Sequence, residues 1–304
     1  MQIRANNIQI EFEDSAPNEP HLPVVLLIMG LGMQLIAWPP GFVRGLITAG
    51  YRVIRFDNRD AGLSEKFNHA GSPNLVWQGL KYKLGLPIKP TYSVHDMALD
   101  ALGVLDALAI DTAHIVGVSM GGMIAQRVAV HAPSRTLSLT SIMSSSGARG
   151  LPGPTAAVTK QLLSRPAARG QQAAINHSVK FFQAIGSPGF AMDEALLRQR
   201  VTASFDRNFN PAGVARQMVA TVADQTRAKQ LSNITSPTLV LHGKADPLVP
   251  FASGEDTARR IPGARLVGIE GMGHDLPPGV VEQLLAHLLP HLAAHTAAAA
   301  RPVL

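Results

Sequence analysis

The sequence predicts an α/β protein, with a mostly parallel central sheet, helices on both faces and one helical insertion. Three observations carry this expectation. Short apolar runs rich in Val, Ile and Leu alternate with segments of helical period. Those runs are almost continuously apolar, as strands covered on both faces must be. The alternation then lapses once, from Gly147 to about Thr235, where no segment has convincing strand character.

In chain order, IRANNIQIEFE predicts an opening hairpin with Asn6 and Asn7 as its turn, and PVVLLIM and YRVIRF follow as strands. Ser93, with Asp96 three residues on, caps a helix whose apolar face is Val94, Met97, Ala101, Leu105 and Leu108. AHIVGV, LSLTSIM, TLVLH and ARLVGI are the later strands. Val280, Val281, Leu284, Leu285, Leu288 and Leu289 mark a last helix, which Pro290 should end or kink. Strand–helix alternation of this kind implies a parallel sheet covered on both sides. The expected division is a core of residues 1–146 and 236–304, with a helical cap over residues 147–235.

That insertion carries prolines at 152, 154, 166, 188 and 211 and helical pieces such as AAINHSVKFFQAI and DEALLRQRV. Five of the ten phenylalanines fall in it: Phe181, Phe182, Phe190, Phe205 and Phe209. Most are expected to form its own core, and one or two to roof a pocket. The tail AAHTAAAARPVL is expected to be a frayed end without function.

The bulk numbers exclude several classes. With 304 residues, 46% hydrophobic and 16% charged, the chain is globular in composition and long enough to bury a sizeable core. The absence of cysteine excludes disulfides, thiolate metal sites and a cysteine nucleophile. Lys plus Arg number 27 against 21 Asp plus Glu, but the basic residues are scattered, which speaks against nucleic-acid binding. The start, MQIRANNIQIEFED, lacks the apolar core of a signal peptide, so a cytoplasmic location is expected. LPVVLLIMGLGMQLIAWPP is broken by Gly30, Gly32 and Gln34, which suits a buried strand better than stable membrane insertion.

One serine organises the chemistry. Gly117-Val118-Ser119-Met120-Gly121 fits G-x-S-x-G between a strand and a helix. There the chain turns sharply and lifts the serine clear of the sheet, so the residues two before and two after it must be small. The next helix aims its N-terminus at the site, and the Met120 N–H becomes available to a developing oxyanion. A serine hydroxyl needs an adjacent base to attack at neutral pH. In this architecture the order is Ser, then Asp or Glu, then His.

Position selects the partners. His274, in GMGHDLPP, follows the strand ARLVGI and so opens on the same sheet edge as Ser119. His114 lies within a strand, and His131, His287, His291 and His295 lie in or beside helices. His242, ending a strand, is the one rival. Asp246, in HGKADPLVP just past TLVLH, is the candidate acid. Asp275 is expected to serve at a helix start or on the surface. The loop IMGLGMQ offers the Leu31 N–H as second oxyanion donor, with Gly30 and Gly32 letting the backbone approach.

Together IMGLG, RFDNRDAGLS, GVSMGG, GKADPLVP and GMGH resemble the α/β-hydrolase superfamily along nearly the whole chain. The likeness is nearest to bacterial carboxylesterases of the anthracycline-methylesterase type. Where that family often has His-Gly in its first motif, this chain has Met29-Gly30. Asp60 occupies a usual glycine position in Asp57-Asn58-Arg59-Asp60-Ala61-Gly62-Leu63-Ser64, a loop expected to support the site without taking part in the chemistry.

The expected function is that of a serine hydrolase cleaving carboxylic esters with short to medium acyl chains or bulky hydrophobic groups. Ser119 would be the nucleophile, His274 the base and Asp246 the orienting acid. The only expected partners are the small-molecule ester and water; no cofactor and no metal are called for. Rival readings with the same residues are a lactonase, a thioesterase or a carbon–carbon bond hydrolase. A ligand receptor on a hydrolase scaffold is a rival from another class. The sequence leaves the oligomeric state open.

Overall fold

The computed structural model describes residues 1–164 and 166–299. Its centre is an eight-stranded sheet in the order β1-β2-β4-β3-β5-β6-β7-β8. The strands are β1 (Gln2–Ala5), β2 (Ile8–Asp14), β3 (Val24–Ile28), β4 (Arg52–Phe56), β5 (Ala113–Val118), β6 (Thr136–Ile142), β7 (Thr238–Gly243) and β8 (Arg265–Ile269). β1 and β2 form the opening hairpin, in which Asn6 and Asn7 both take positive φ, 47° and 66°. β2 runs antiparallel to β4, and every pairing from β4 to β8 is parallel.

The helices are α1 (Pro40–Thr48), α2 (Leu75–Lys83), α3 (Val94–Ala107), α4 (Met120–His131), α5 (Ala156–Leu163), α6 (Gln171–Ile185), α7 (Glu194–Arg207), α8 (Pro211–Ala223), α9 (Arg227–Gln230), α10 (Ala252–Arg260) and α11 (Pro278–Ala299). α3 begins as its sequence foretells: the Ser93 hydroxyl accepts from the Asp96 N–H at 3.1 Å, and Asp96 reaches back to the Ser93 N–H at 2.7 Å. All described regular structure between β6 and β7 is helical.

Continuous apolarity in the strands has its predicted cause. Side chains alternate across a strand. Val24, Leu26 and Ile28 of β3 therefore enter one core with α3 and α4, which contribute Met97, Leu105, Ile124 and Val128. Val25 and Leu27 enter the opposite core with Trp38, Phe42 and Leu46 near the chain start and Leu284, Leu288 and Leu292 of α11. Both faces of the sheet are thus dry, and truncating one such leucine to alanine costs about 2–5 kcal/mol.

The phenylalanines divide differently from expectation. Phe182 and Phe205 pack on Ile175, Val179 and Val201, a small core within the helical segment. Phe190 packs instead against the main core, over Gly279 of α11. Phe209 stacks on Phe205 at 4.3 Å but remains 56% exposed. Composition places aromatics in a segment; only the helix faces decide what they touch.

The chain end also departs from expectation. Pro290 does not end α11. The carbonyl that its missing N–H leaves free belongs to Ala286, which is exposed and can bond water. Residues 293–299, expected to fray, are helical, and the rest of that tail lies outside the described residues. Thr296 anchors this last stretch: its hydroxyl donates to the Leu292 carbonyl at 2.9 Å and accepts from His114 Nε2 at 2.9 Å. His114 is therefore the Nε2–H tautomer, and its Nδ1 accepts from the Ser138 hydroxyl at 2.8 Å. No described helix is long and apolar enough to cross a membrane.

Burial pushes His114 down to about 4, and His291 of α11 likewise to about 4. The unfolded chain takes up these protons near pH 6.5, whereas the folded chain resists until about pH 4. Stability is therefore expected to fall as pH drops from about 6.5 to 4, by up to about 3 kcal/mol for His114 alone. Urea unfolding at intervals across that range checks this, and a constant unfolding free energy would contradict it.

Candidate active site

Ser119 sits at the joint between β5 and α4 with φ 56° and ψ −120°, a conformation that L residues rarely adopt. Such a residue costs on the order of 1–3 kcal/mol and persists only where its surroundings hold it. Here they do. The Ser119 N–H donates to the Ile142 carbonyl at 2.9 Å, and its own carbonyl accepts from the Gly122 N–H at 2.9 Å. The buried Ser144 hydroxyl donates to the same carbonyl at 2.7 Å. A β-carbon on Gly117 would lie 2.1 Å from the Gly121 carbonyl oxygen, and one on Gly121 would lie 2.0 Å from that of Ile28. The flanking glycines are thus demanded by backbone contact.

Asp246 follows β7 and His274 follows β8, so both lie beyond the carboxyl ends of parallel strands, as Ser119 does. The three side chains form one continuous line. His274 Nδ1 is 2.7 Å from Asp246 Oδ2, and His274 Nε2 is 3.0 Å from Ser119 Oγ. An ionised carboxylate only accepts, so Nδ1 carries the proton and Nε2 is free to take one from the serine hydroxyl. The other oxygen of Asp246 accepts from the Leu248 and Val249 N–H groups at 2.9 and 2.8 Å. Asp246 and His274 are both buried, which limits competition from water for these bonds.

His242, the rival, is not brought to the serine. Its Nε2–H donates to the Val249 carbonyl at 2.7 Å, and Phe251 meets its ring edge-on. Burial pushes its basicity down against that bond. It braces the Asp246 loop from beneath.

The loop after β3 lies against the serine. A β-carbon on Gly30 would be 3.2 Å from the Ser119 β-carbon and 3.7 Å from its hydroxyl oxygen. Gly32 takes φ 67° and donates its N–H to the buried Gln217 side chain at 2.8 Å. Among the described residues, the Leu31 and Met120 N–H groups have no protein acceptor. Met120 follows Ser119 directly in the chain, and Leu31 follows Gly30.

Several residues at the site carried no local sequence signal. Gln217 of α8 also donates to the Arg59 carbonyl at 2.7 Å, so it ties the loop after β3 to the loop after β4. Asp57 accepts from the Leu35 N–H at 2.7 Å and from Arg207 of α7 at 2.6 Å. Asp60, with φ 67° in the usual glycine position, binds Arg216 of α8 at 2.7 Å through both oxygens and Tyr92 at 2.6 Å. Burial alone would raise Asp60, but the bonds from Arg216, Tyr92 and the Phe67 N–H outweigh it and hold it below the ordinary range. The loop Asp57–Asp60 holds its surroundings through charge, by way of Arg207 and Arg216.

Asp275 corrects the sequence reading. It lies three residues before α11 and is only partly exposed. It accepts from the Ser187 hydroxyl at 2.5 Å, while Ser187 accepts from the Gly273 N–H at 2.8 Å. The His274 N–H donates to the Ile185 carbonyl at 2.7 Å, and the Gly189 N–H donates to the Gly271 carbonyl at 2.9 Å. The histidine loop is therefore sewn to the segment after α6. Burial pushes Asp275 up, and the Ser187 bonds pull against it.

Removing the Ser187 hydroxyl strands the Gly273 N–H and one oxygen of Asp275. Ser187→Ala is expected to cost about 1–3 kcal/mol, read as a lower urea midpoint. An unchanged midpoint would show that water replaces the hydroxyl without loss.

Known proteins similar to this chain share one fold. The family model for the alpha/beta hydrolase fold matches residues 23–277. The chain is 30% identical to rhodomycin D methylesterase of Streptomyces peucetius, over 95% of this chain and 97% of that one. It is 32% identical to the rhodomycin D methylesterase of Streptomyces sp. strain C5, over 90% of this chain and 91% of that one. Among solved structures, the enol-lactonase from Burkholderia xenovorans LB400 shares the fold with a TM-score of 0.71 at 20% identity, covering 96% of this chain and 100% of that one. With a matching family model over most of its length and relatives of this identity, the chain belongs to the alpha/beta hydrolase fold family.

Proposed function

We propose that this carboxylic ester hydrolase works through an acyl-enzyme on Ser119, with His274 as general base and Asp246 as the residue that orients it. The unbroken hydrogen-bond line from Asp246 through His274 to Ser119 carries this reading. The line runs in the order that the first step needs, carboxylate to imidazole to hydroxyl.

The Ser119 oxygen attacks the ester carbonyl as His274 Nε2 takes its proton. The carbonyl oxygen gains charge and is met by the Leu31 and Met120 N–H groups; one such donor is worth about 3 kcal/mol in the transition state. Asp246 stabilises the imidazolium formed and keeps its proton on Nδ1. His274 then protonates the departing alkoxide, and the alcohol leaves. A water molecule, deprotonated by the same imidazole, attacks the acyl-enzyme, and the acid is released with Ser119 restored. The chemistry uses these side chains, two backbone amides and water.

Residues 147–235 act as a cap on a core of residues 1–146 and 236–304. Support comes from α7 and α8, which bind the loops after β3 and β4 through Arg207, Arg216 and Gln217. The proposed substrates are esters with short to medium acyl chains or a bulky hydrophobic part. Methyl esters of bulky acids join that set because the two relatives named above are methylesterases.

The test is steady-state hydrolysis of p-nitrophenyl esters from acetate to laurate, together with methyl esters and lactones. Wild type should turn over many times. Ser119→Ala should lose on the order of 10⁶-fold in kcat, and Asp246→Asn on the order of 10⁴-fold. Activity should also fall in acid, because a protonated imidazole cannot act as base. Retention of activity in Ser119→Ala, or a single turnover by wild type on every ester, would overturn the mechanism.

A further inference from the structure

The helix α2 and the turn after it stand out from everything else on the surface. α2 has no buried residue. Val76 is 84% exposed, Leu84 63% and Trp77 50%, and Leu80, Tyr82 and Leu86 are exposed beside them. A nine-residue helix is too short to be stable in water by itself. The Asn74 side chain caps it, accepting from the Trp77 N–H at 3.0 Å, yet it covers little of the protein's own core. A contiguous apolar surface of this kind marks an interaction site.

The charge around it identifies the partner. Residues 66–95 contain four lysines and no aspartate or glutamate. Lys66 is spent on backbone carbonyls of its own loop, at 2.5 Å to Gly62. Lys81, Lys83 and Lys89 remain, with Lys81 lying 5.7 Å from the centre of the Trp77 ring. Arg149 adds a further cation beside Gly85. A segment with exposed leucines, a tryptophan, a tyrosine and lysines but no carboxylate of its own matches a membrane interface carrying negative headgroups. A second copy of this chain fits poorly, because a two-fold contact centred on the patch would set these lysines against their own counterparts.

We propose that the segment Leu75–Lys89 binds the protein peripherally to anionic lipid bilayers, lying in the interface without crossing it. Its apolar side chains enter the headgroup boundary, and Lys81, Lys83 and Lys89 meet lipid phosphates. α2 packs against α8, the helix that holds the loop after β3 through Gln217. A bound bilayer would therefore lie beside the helix that supports the Ser119 site, where esters dissolved in lipid are concentrated. The binding itself does not depend on the proposed mechanism.

Vesicle sedimentation with the full chain tests this, using pure phosphatidylcholine and a mixture containing a quarter phosphatidylglycerol. The chain has two tryptophans, and Trp38 is wholly buried, so Trp77 is the one poised to report. Expected results are binding to the anionic vesicles with a blue shift of Trp77 emission, and loss of binding in 0.5 M salt. The Lys81→Glu, Lys83→Glu, Lys89→Glu variant should bind on the order of 100-fold more weakly, at about tenfold or less per lysine. Its hydrolysis of p-nitrophenyl acetate in solution should be unchanged, which shows that it folds. No binding to anionic vesicles, or equal binding to neutral ones, would overturn the proposal. A Trp77 shift that grows with protein concentration in the absence of lipid would overturn it in favour of a second copy.

Discussion

The closeness of two backbones underlies this molecule. Gly121, the second residue of α4, rests against the Ile28 carbonyl at the end of β3, and Gly117 rests against Gly121 itself. No side chain fits in either gap. Because β3 and β5 are neighbouring strands in the sheet, this packing fixes both the turn that holds Ser119 and the start of the loop carrying Gly30 to Gly32. A hydroxyl and two backbone N–H groups can be held together only if strand ends, loop and helix start share one small volume. Strain at Ser119 is tolerated because four hydrogen bonds and these contacts leave the chain no alternative.

A second layer of order comes from charge. α7 and α8 are held to the loop after β4 by Arg207 on Asp57 and Arg216 on Asp60, and α8 is held to the loop after β3 by Gln217 on Gly32. α9 is held in the same way. Arg227 bonds Asp224 and the Gln126 side chain of α4, and Arg127 of α4 bonds Asp224 in turn. Buried ion pairs contribute little net stability, but an unpaired partner is costly, so they select one arrangement strongly against others. The result is a helical segment whose position is specific even though its own apolar core is small.

The sheet was legible in the sequence because strands buried on both faces must be apolar throughout, and six such runs stand out. Asp246 and His274 were legible because each follows one of those runs, and parallel strands end on a common edge. The ties to the helical segment were not. Gln217 meets Gly32 across 185 positions, and Arg216 meets Asp60 across 156, so no local pattern records either contact. The partner of Asp275 was not legible for the same reason, since Ser187 lies 88 positions away. Pro290 does not end its helix, because a proline rule describes a helix in isolation, whereas Leu288 and Leu292 bury this one on either side of it. His242 was the one rival to His274 by position, and the structure occupies its ring with the Val249 carbonyl.

The seam between Ile185–Gly189 and Gly271–His274 bears on how this protein could be rebuilt. An engineer wishing to graft a foreign helical segment onto the sheet would cut near residues 147 and 235, where the strands end. That cut would discard the Ile185 carbonyl and the Ser187 hydroxyl, which hold the backbone of the histidine loop in place. The modular boundary is therefore not where the secondary structure changes. A chimera that keeps residues 185–190 in register with the histidine loop retains its scaffold, whereas one that replaces them must supply a carbonyl and a hydroxyl of its own at the same two points.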